Sequence, residues 1–272
     1  MPVSLPHSDL VVHVTGREEG PSLLLLHGFA GSAHCWPDAV DRWSRDYRVV
    51  TVDARGHGDS PRWTPDQLED QPWQVLIDDL VVLLEDLAAV GIPRPVLVGH
   101  SMGAGTAAAA SARRPELVRA LVLEDPPWDA EPAADDPERA TRHEAWFTSF
   151  RVDMEARIAE RRKERPGWPE SELAPWAMAK VQAHPEMLAS PRLRPEATWR
   201  DTVTALDVPT LVVTGDQDDA VIVGSRTRAE LDSLANAHLT VAVVAGVSHT
   251  VRCDNVEAYH AVVDPFIAKA FA

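Results

Sequence analysis

Cysteine is nearly absent from this 272-residue chain, which has only Cys35 and Cys253. Two thiols cannot build a disulfide scaffold or a four-thiolate zinc site. Long apolar runs are missing too, and none approaches the ~20 residues that a bilayer-crossing helix requires. The opening residues, Met1 to His7, have neither a basic nor an apolar leader region, so no secretory signal is expected and a cytoplasmic location is. Positive charge is scarce: 26 Lys and Arg face 42 Asp and Glu, a formal net charge of −16. Such a surface repels phosphate backbones, so neither nucleic acid nor membrane is an expected partner. Phe and Tyr number only five and two, yet Trp reaches nine. A tryptophan excess points to the walls of a pocket or an interface. The remaining balance, 45% hydrophobic and 25% charged, is that of an ordinary soluble globule long enough for one α/β unit with an insertion.

Short apolar runs alternate with helical patterns, the rhythm of a mostly parallel, doubly covered sheet. Leu10–Val14, Ser22–Leu26, Arg48–Asp53, Pro95–Gly99, Val118–Leu123, Thr210–Gly215 and Leu239–Ala245 read as strands. Gln74–Val90 reads as an amphipathic helix, with Leu76, Leu80, Leu83, Leu84 and Leu87 on one stripe. Met102–Arg113 is an Ala-rich helix, and Asn255–Phe271 a closing one that Pro265 is expected to interrupt or kink. The rhythm breaks over 126–205, which holds helical stretches at Pro137–Arg165 and Glu170–Ala183 and five of the tryptophans. The expected division is therefore a core of 1–125 and 206–272 with a helical insertion at 126–205. The charged stretch Glu155–Arg165 reads as a solvated helix face laced with ion pairs.

Gly99-His100-Ser101-Met102-Gly103 carries the strongest chemical signal. It follows the strand Val96-Leu97-Val98 and opens the Ala-rich helix, the setting that makes G-x-S-x-G informative. Ser101 is the expected nucleophile, presented beside free helix N–H groups that favour developing negative charge. A serine hydroxyl needs a base. Of eleven histidines, His249 stands in a loop after a strand, on the same sheet rim as Ser101. The base requires an orienting carboxylate. Asp216, Asp218 and Asp219 follow the strand Thr210–Gly215, while Glu124 and Asp125 follow an earlier strand on that rim, and either set preserves the order Ser…acid…His. Two backbone donors for an oxyanion are expected at Phe29, in the glycine-bearing loop after Leu26, and at Met102.

These pieces, with Asp53-Ala54-Arg55-Gly56-His57-Gly58-Asp59-Ser60, appear in the order and intervals of a large family that the chain resembles, the α/β-hydrolase superfamily. The resemblance covers nearly the whole chain and implies a doubly wound sheet with an inserted helical cap. The family places its acid three residues after the glycine ending its strand, which selects Asp218 and leaves Asp125 as the alternative. Serine at the elbow departs from the haloalkane dehalogenase and epoxide hydrolase branches, which use aspartate there.

Two rival motifs fail on position. Gly103-Ala104-Gly105-Thr106-Ala107-Ala108 fits a dinucleotide fingerprint, but it begins inside the helix rather than at the strand end. His57-Gly58-Asp59 is a His/Asp pair with no third ligand at a useful spacing, so no metal is expected, and no cofactor. The expected activity is hydrolysis of an ester or lactone of a small-to-medium uncharged molecule. Alternatives are C–C bond hydrolysis of a diketone-like compound, or a cofactor-free oxygenase or ligand receptor on the same frame.

Overall fold

The computed structural model describes residues 5–69, 71–128, 137–184, 186 and 197–272. Seven strands form one sheet: β1 (Val12–Gly16), β2 (Ser22–Leu26), β3 (Arg48–Val52), β4 (Val96–His100), β5 (Ala120–Glu124), β6 (Thr210–Gly215) and β7 (Leu239–Val244). Their order is β1-β3-β2-β4-β5-β6-β7, parallel throughout except that β1 runs antiparallel to β3. The expected doubly wound, mostly parallel sheet is therefore present. β1 lies two residues later than its apolar run suggests. Its pairing runs from Val12 opposite Val52 to Gly16 opposite Arg48, and Leu10 packs into the core from the preceding segment.

The central strands are apolar on both faces because helices cover both. One face packs Leu24, Leu97, Leu121 and Val212 under α3 (Pro72–Ala89) and α4 (Met102–Arg113). The other packs Leu25, Val98, Val122 and Val213 under α1 (Pro37–Trp43) and α11 (Val256–Phe271). A short α2 (Pro65–Glu69) precedes α3, α9 (Ser225–Leu234) links β6 to β7, and α10 (Val251–Asp254) precedes α11. α11 runs on through Pro265 instead of ending there. Proline forfeits one backbone bond, and the burial of Tyr259, Val263 and Ile267 along that face holds the helix together.

Between β5 and β6 lie α5 (Pro137–Val152), α6 (Met154–Glu164), α7 (Glu170–Gln182) and α8 (Trp199–Thr204). The stretches 129–136 and 187–196 of the expected insertion lie outside the described residues. The single helix read over Pro137–Arg165 is two. Asp153 separates them, because its carboxylate caps α6 by accepting the Ala156 N–H at 3.0 Å. Phe150, Ile158, Leu173 and Ala177 give these helices a small apolar core of their own.

Of the five tryptophans in this region, Trp168 and Trp176 line the central cavity. Trp128 and Trp199 stack on each other, 6.0 Å between ring centroids, against the main core. Trp146 is 41% exposed. The pocket-wall expectation thus holds for two of the five, and packing accounts for another two.

Candidate active site

Ser101 sits where β4 hands over to α4, with φ 49° and ψ −115°. A side chain rarely adopts a left-handed φ, and holding one there costs on the order of 1–3 kcal/mol. The turn is tolerated because both flanking glycines leave room. A Cβ on Gly99 would stand 2.6 Å from the Ala104 nitrogen, and one on Gly103 would strike the Leu26 and His27 carbonyls. The Ser101 N–H donates to the Glu124 carbonyl at 2.9 Å, tying the turn to the neighbouring strand.

His249 shares the cavity with Ser101. Its backbone is held on two sides: the N–H donates to the Ala220 carbonyl at 2.8 Å, and the carbonyl accepts from His100 Nε2 at 3.1 Å. Its Nδ1 meets Asp125 Oδ2 at 2.5 Å. Asp125 is fully buried. Its carboxylate also accepts from the N–H groups of Ile222 and Val223, both at 2.9 Å, and from the Thr214 hydroxyl at 2.8 Å.

Asp218, the acid selected from the resemblance, does not reach His249. Its carboxylate is half exposed, and it accepts from the Ser225 N–H at 2.9 Å and from the Ser225 hydroxyl. The reason is local. α9 opens on Gly224, which has no side chain to cap the helix, and Asp218 turns back to supply that acceptor. The loop after β6 therefore offers two backbone amides to Asp125 in place of a carboxylate to His249. The alternative considered from the sequence, Asp125, occupies that position.

The loop carrying Phe29 is pinned from beneath by buried groups. His27 accepts the Ala54 N–H at Nε2 (3.0 Å) and donates Nδ1 to the Gly28 carbonyl (2.8 Å). His57 accepts the Ala30 N–H at 3.1 Å and donates to the Arg55 carbonyl at 3.0 Å. Asp53 accepts from the N–H groups of Ala33 and Asp59. Burial is the main cause that lowers His27 to about 4 and His57 to about 3, so both rings stay neutral and act as fixed struts. This explains the Asp53–Ser60 motif as support for the loop, and it leaves His57 already engaged rather than free to ligate. The Phe29 and Met102 N–H groups have no acceptor among the described residues.

The cavity over Ser101 measures about 450 Å³. Its floor comes from the loops after β2, β4 and β7, and its far wall from α6 and α7. The substrate expected from the sequence is uncharged, whereas this cavity carries several charged side chains. Arg161, Arg165, Lys180 and Arg252 line it, against Glu124 and Glu172. Arg252 is committed to Glu172 through a two-pronged buried ion pair and also donates to the Cys35 carbonyl at 2.8 Å. Burial pushes the Glu124 carboxyl up to about 7 despite the nearby Arg252. Arg161, read from the sequence as part of a solvated face, instead lies over the Trp176 ring at 4.5 Å and the Trp168 ring at 5.2 Å.

Among the described residues no group of three or more His, Cys, Asp or Glu could hold a metal ion, and no helix is long and apolar enough to cross a membrane.

A family model for the alpha/beta hydrolase fold matches residues 21–249. Over 113 residues the chain is 36% identical to Epoxide hydrolase 3 of Xenopus tropicalis, a match covering 42% of this chain and 29% of that protein. Over 118 residues it is 32% identical to 2-(acetamidomethylene)succinate hydrolase of Mesorhizobium japonicum, covering 43% and 39%. These matches span about a third of the length of the curated relatives. The solved structure of the enol-lactonase from Burkholderia xenovorans superimposes with a TM-score of 0.73 at 21% identity, over 98% of this chain and all of that one, which is a likeness of fold.

Proposed function

The chain belongs to the alpha/beta hydrolase family, and from that premise we propose that it is a serine hydrolase opening a carboxylic ester or lactone through Ser101, His249 and Asp125. The observation that carries this reading is the bond from His249 Nδ1 to the buried Asp125, on a histidine that shares one cavity with a serine in a strained turn.

Asp125 fixes the imidazole with Nδ1 protonated, leaving Nε2 to take the Ser101 proton. The oxygen attacks the carbonyl carbon, and the resulting oxyanion rests on the N–H groups of Phe29 and Met102. His249 then returns the proton to the departing alcohol, or to the alkoxide that a lactone ring releases while staying tethered. Water, deprotonated by the same histidine, cleaves the acyl-enzyme and restores Ser101. The three side chains, two amides and water complete the cycle. In this reading α5–α7 form a cap that supplies the pocket's far wall to a core of residues 1–125 and 206–272.

Similarity to an epoxide hydrolase does not carry that activity over. Serine stands at the elbow where the resemblance places aspartate in that branch, and a hydroxyl activated by a base suits acyl transfer. The test is labelling with a serine-directed phosphonate, followed by mapping of the modified residue. Attachment at Ser101, with loss of both labelling and ester hydrolysis in Ser101→Ala, is the expected result. Stable attachment elsewhere, or hydrolysis surviving in Ser101→Ala, overturns it.

A further inference from the structure

Lys180 is buried, 7% exposed, and among the described residues its ammonium has one hydrogen bond, to the Ala30 carbonyl at 2.8 Å. No carboxylate pairs with it among the described residues. Arg161 stands beside it on the same indole: the ammonium lies 5.4 Å and the guanidinium 4.5 Å from the Trp176 ring centroid. The Arg161 contact with Glu164 is long, 3.7 Å, and its buried Nε has no hydrogen-bond partner among the described residues. Arg165 reaches Asp254 only at 3.6 Å, and Asp254 already accepts from Ser248 and Trp168.

Leaving a charge out of water without a counter-ion costs several kcal/mol. A protein with a net charge of −16 has carboxylates to spare, yet among the described residues none pairs with Lys180, and Arg161 and Arg165 have only long contacts to theirs. The cationic cluster faces the cavity that holds Ser101, and the lysine is anchored one residue past Phe29.

We infer that Arg161, Arg165 and Lys180 form a subsite for a carboxylate carried by the substrate, so that the enzyme acts on half-esters or acidic lactones of short dicarboxylic acids. This deepens the serine-hydrolase reading and rests on it for the reaction, though not for the binding. The guanidinium can take a carboxylate through paired N–H bonds, and the ammonium adds a point charge. The indoles of Trp168 and Trp176 line the same wall and lie against the Arg161 guanidinium.

Two measurements test the subsite. In the first, succinate binding to the wild-type protein and to Lys180→Met and Arg161→Met is followed by calorimetry at pH 7, with succinamide as the neutral control. Succinate is expected to bind wild type at least about tenfold more tightly than succinamide, and to lose about tenfold or more in either variant. In the second, kcat/KM is compared for methyl hydrogen succinate and methyl butyrate. The acidic ester is expected to be preferred by about tenfold or more, and both variants should shrink that ratio chiefly through KM.

Arg161→Lys, which keeps the charge, should recover part of the preference, whereas a purely structural role would not follow charge in this way. Equal binding of succinate and succinamide, preference for methyl butyrate, or an unchanged ratio in folded variants overturns the subsite. Tighter inhibition by inorganic phosphate than by succinate overturns the assignment to carboxylate. Selective succinate binding without turnover of either ester would instead sink the hydrolase reading and leave the subsite standing.

Discussion

His249 and Asp125 lie 124 residues apart in the chain, and the sheet brings Nδ1 of one to within 2.5 Å of Oδ2 of the other. The carboxylate is held by the Thr214 hydroxyl and two backbone amides from beyond β6, so it is fixed before it touches the imidazole. Such prior fixing sets the tautomer and direction of the ring without cost during the reaction.

Removing either end of the proton relay should be severe. Ser101→Ala and His249→Ala are each expected to lower kcat on a short-chain ester by about 10⁴-fold or more, with the double variant no worse than the singles. Additive losses in the double variant would show that the two groups do not act as a unit.

The neutral histidines beneath the Phe29 loop tie stability to pH. The unfolded chain takes up protons below about 6.5, whereas folded His27 and His57 resist down to about 4 and 3. Stability is therefore lost as pH falls from 6.5 towards 4, by roughly 3 kcal/mol for each ring at about 1.4 kcal/mol per pH unit. Glu124 acts in the opposite sense. Its folded carboxyl titrates near 7 rather than 4.5, so it gains stability over the fall from 7 to 4.5 and offsets about one histidine. Denaturant unfolding at pH 7 and pH 4 should show the net loss. Imidazole NMR should show the His27 and His57 rings still neutral at pH 5, and titration of both near 6.5 would show that neither is held neutral by burial.

The positions of Ser101 and His249 on one cavity were legible because each lies within a few residues of a strand end whose apolar pattern is unmistakable. The carboxylate that meets His249 was not, because the choice between Asp218 and Asp125 turns on which loop folds back. That depends on the capping need of α9 at Gly224, a relationship between residues seven positions apart that no strand pattern reveals. The charge of the pocket was hidden for another reason. Glu155–Arg165 is a charged helix with the expected surface pairing at Arg157–Glu160, and only the packing of Trp176 shows that Arg161 turns inward. Net charge summed over the surface carries no information about four cations gathered at one cavity.

The buried pair of Arg252 and Glu172 links α10 to α7 across the cavity. Glu172→Gln leaves the guanidinium without a counter-ion and should cost about 3–5 kcal/mol in unfolding free energy. Replacing both residues with Met should cost less than Glu172→Gln alone. A thermal melt in which the single variant matches wild type would show that the pair contributes nothing.

Lys180 gives the proposed subsite a basic limb. Burial lowers the ammonium to about 8, with the thiols of Cys35 and Cys253 and the Arg161 guanidinium as its charged or titratable neighbours. The protonated form binds an anion, so KM for methyl hydrogen succinate should rise as pH increases through 8, while KM for methyl butyrate stays level. In Lys180→Met the rise should vanish. Parallel curves for the two esters would assign the limb to another group.

Asp125, rather than Asp218, is proposed to serve His249. The decisive comparison is kcat/KM for Asp125→Asn and Asp218→Asn on one ester under one set of conditions. Asp125→Asn is expected to fall by about 10⁴-fold, since an amide favours the wrong imidazole tautomer, while Asp218→Asn stays within a few-fold of wild type. A severe loss in Asp218→Asn beside a mild one in Asp125→Asn would contradict the account.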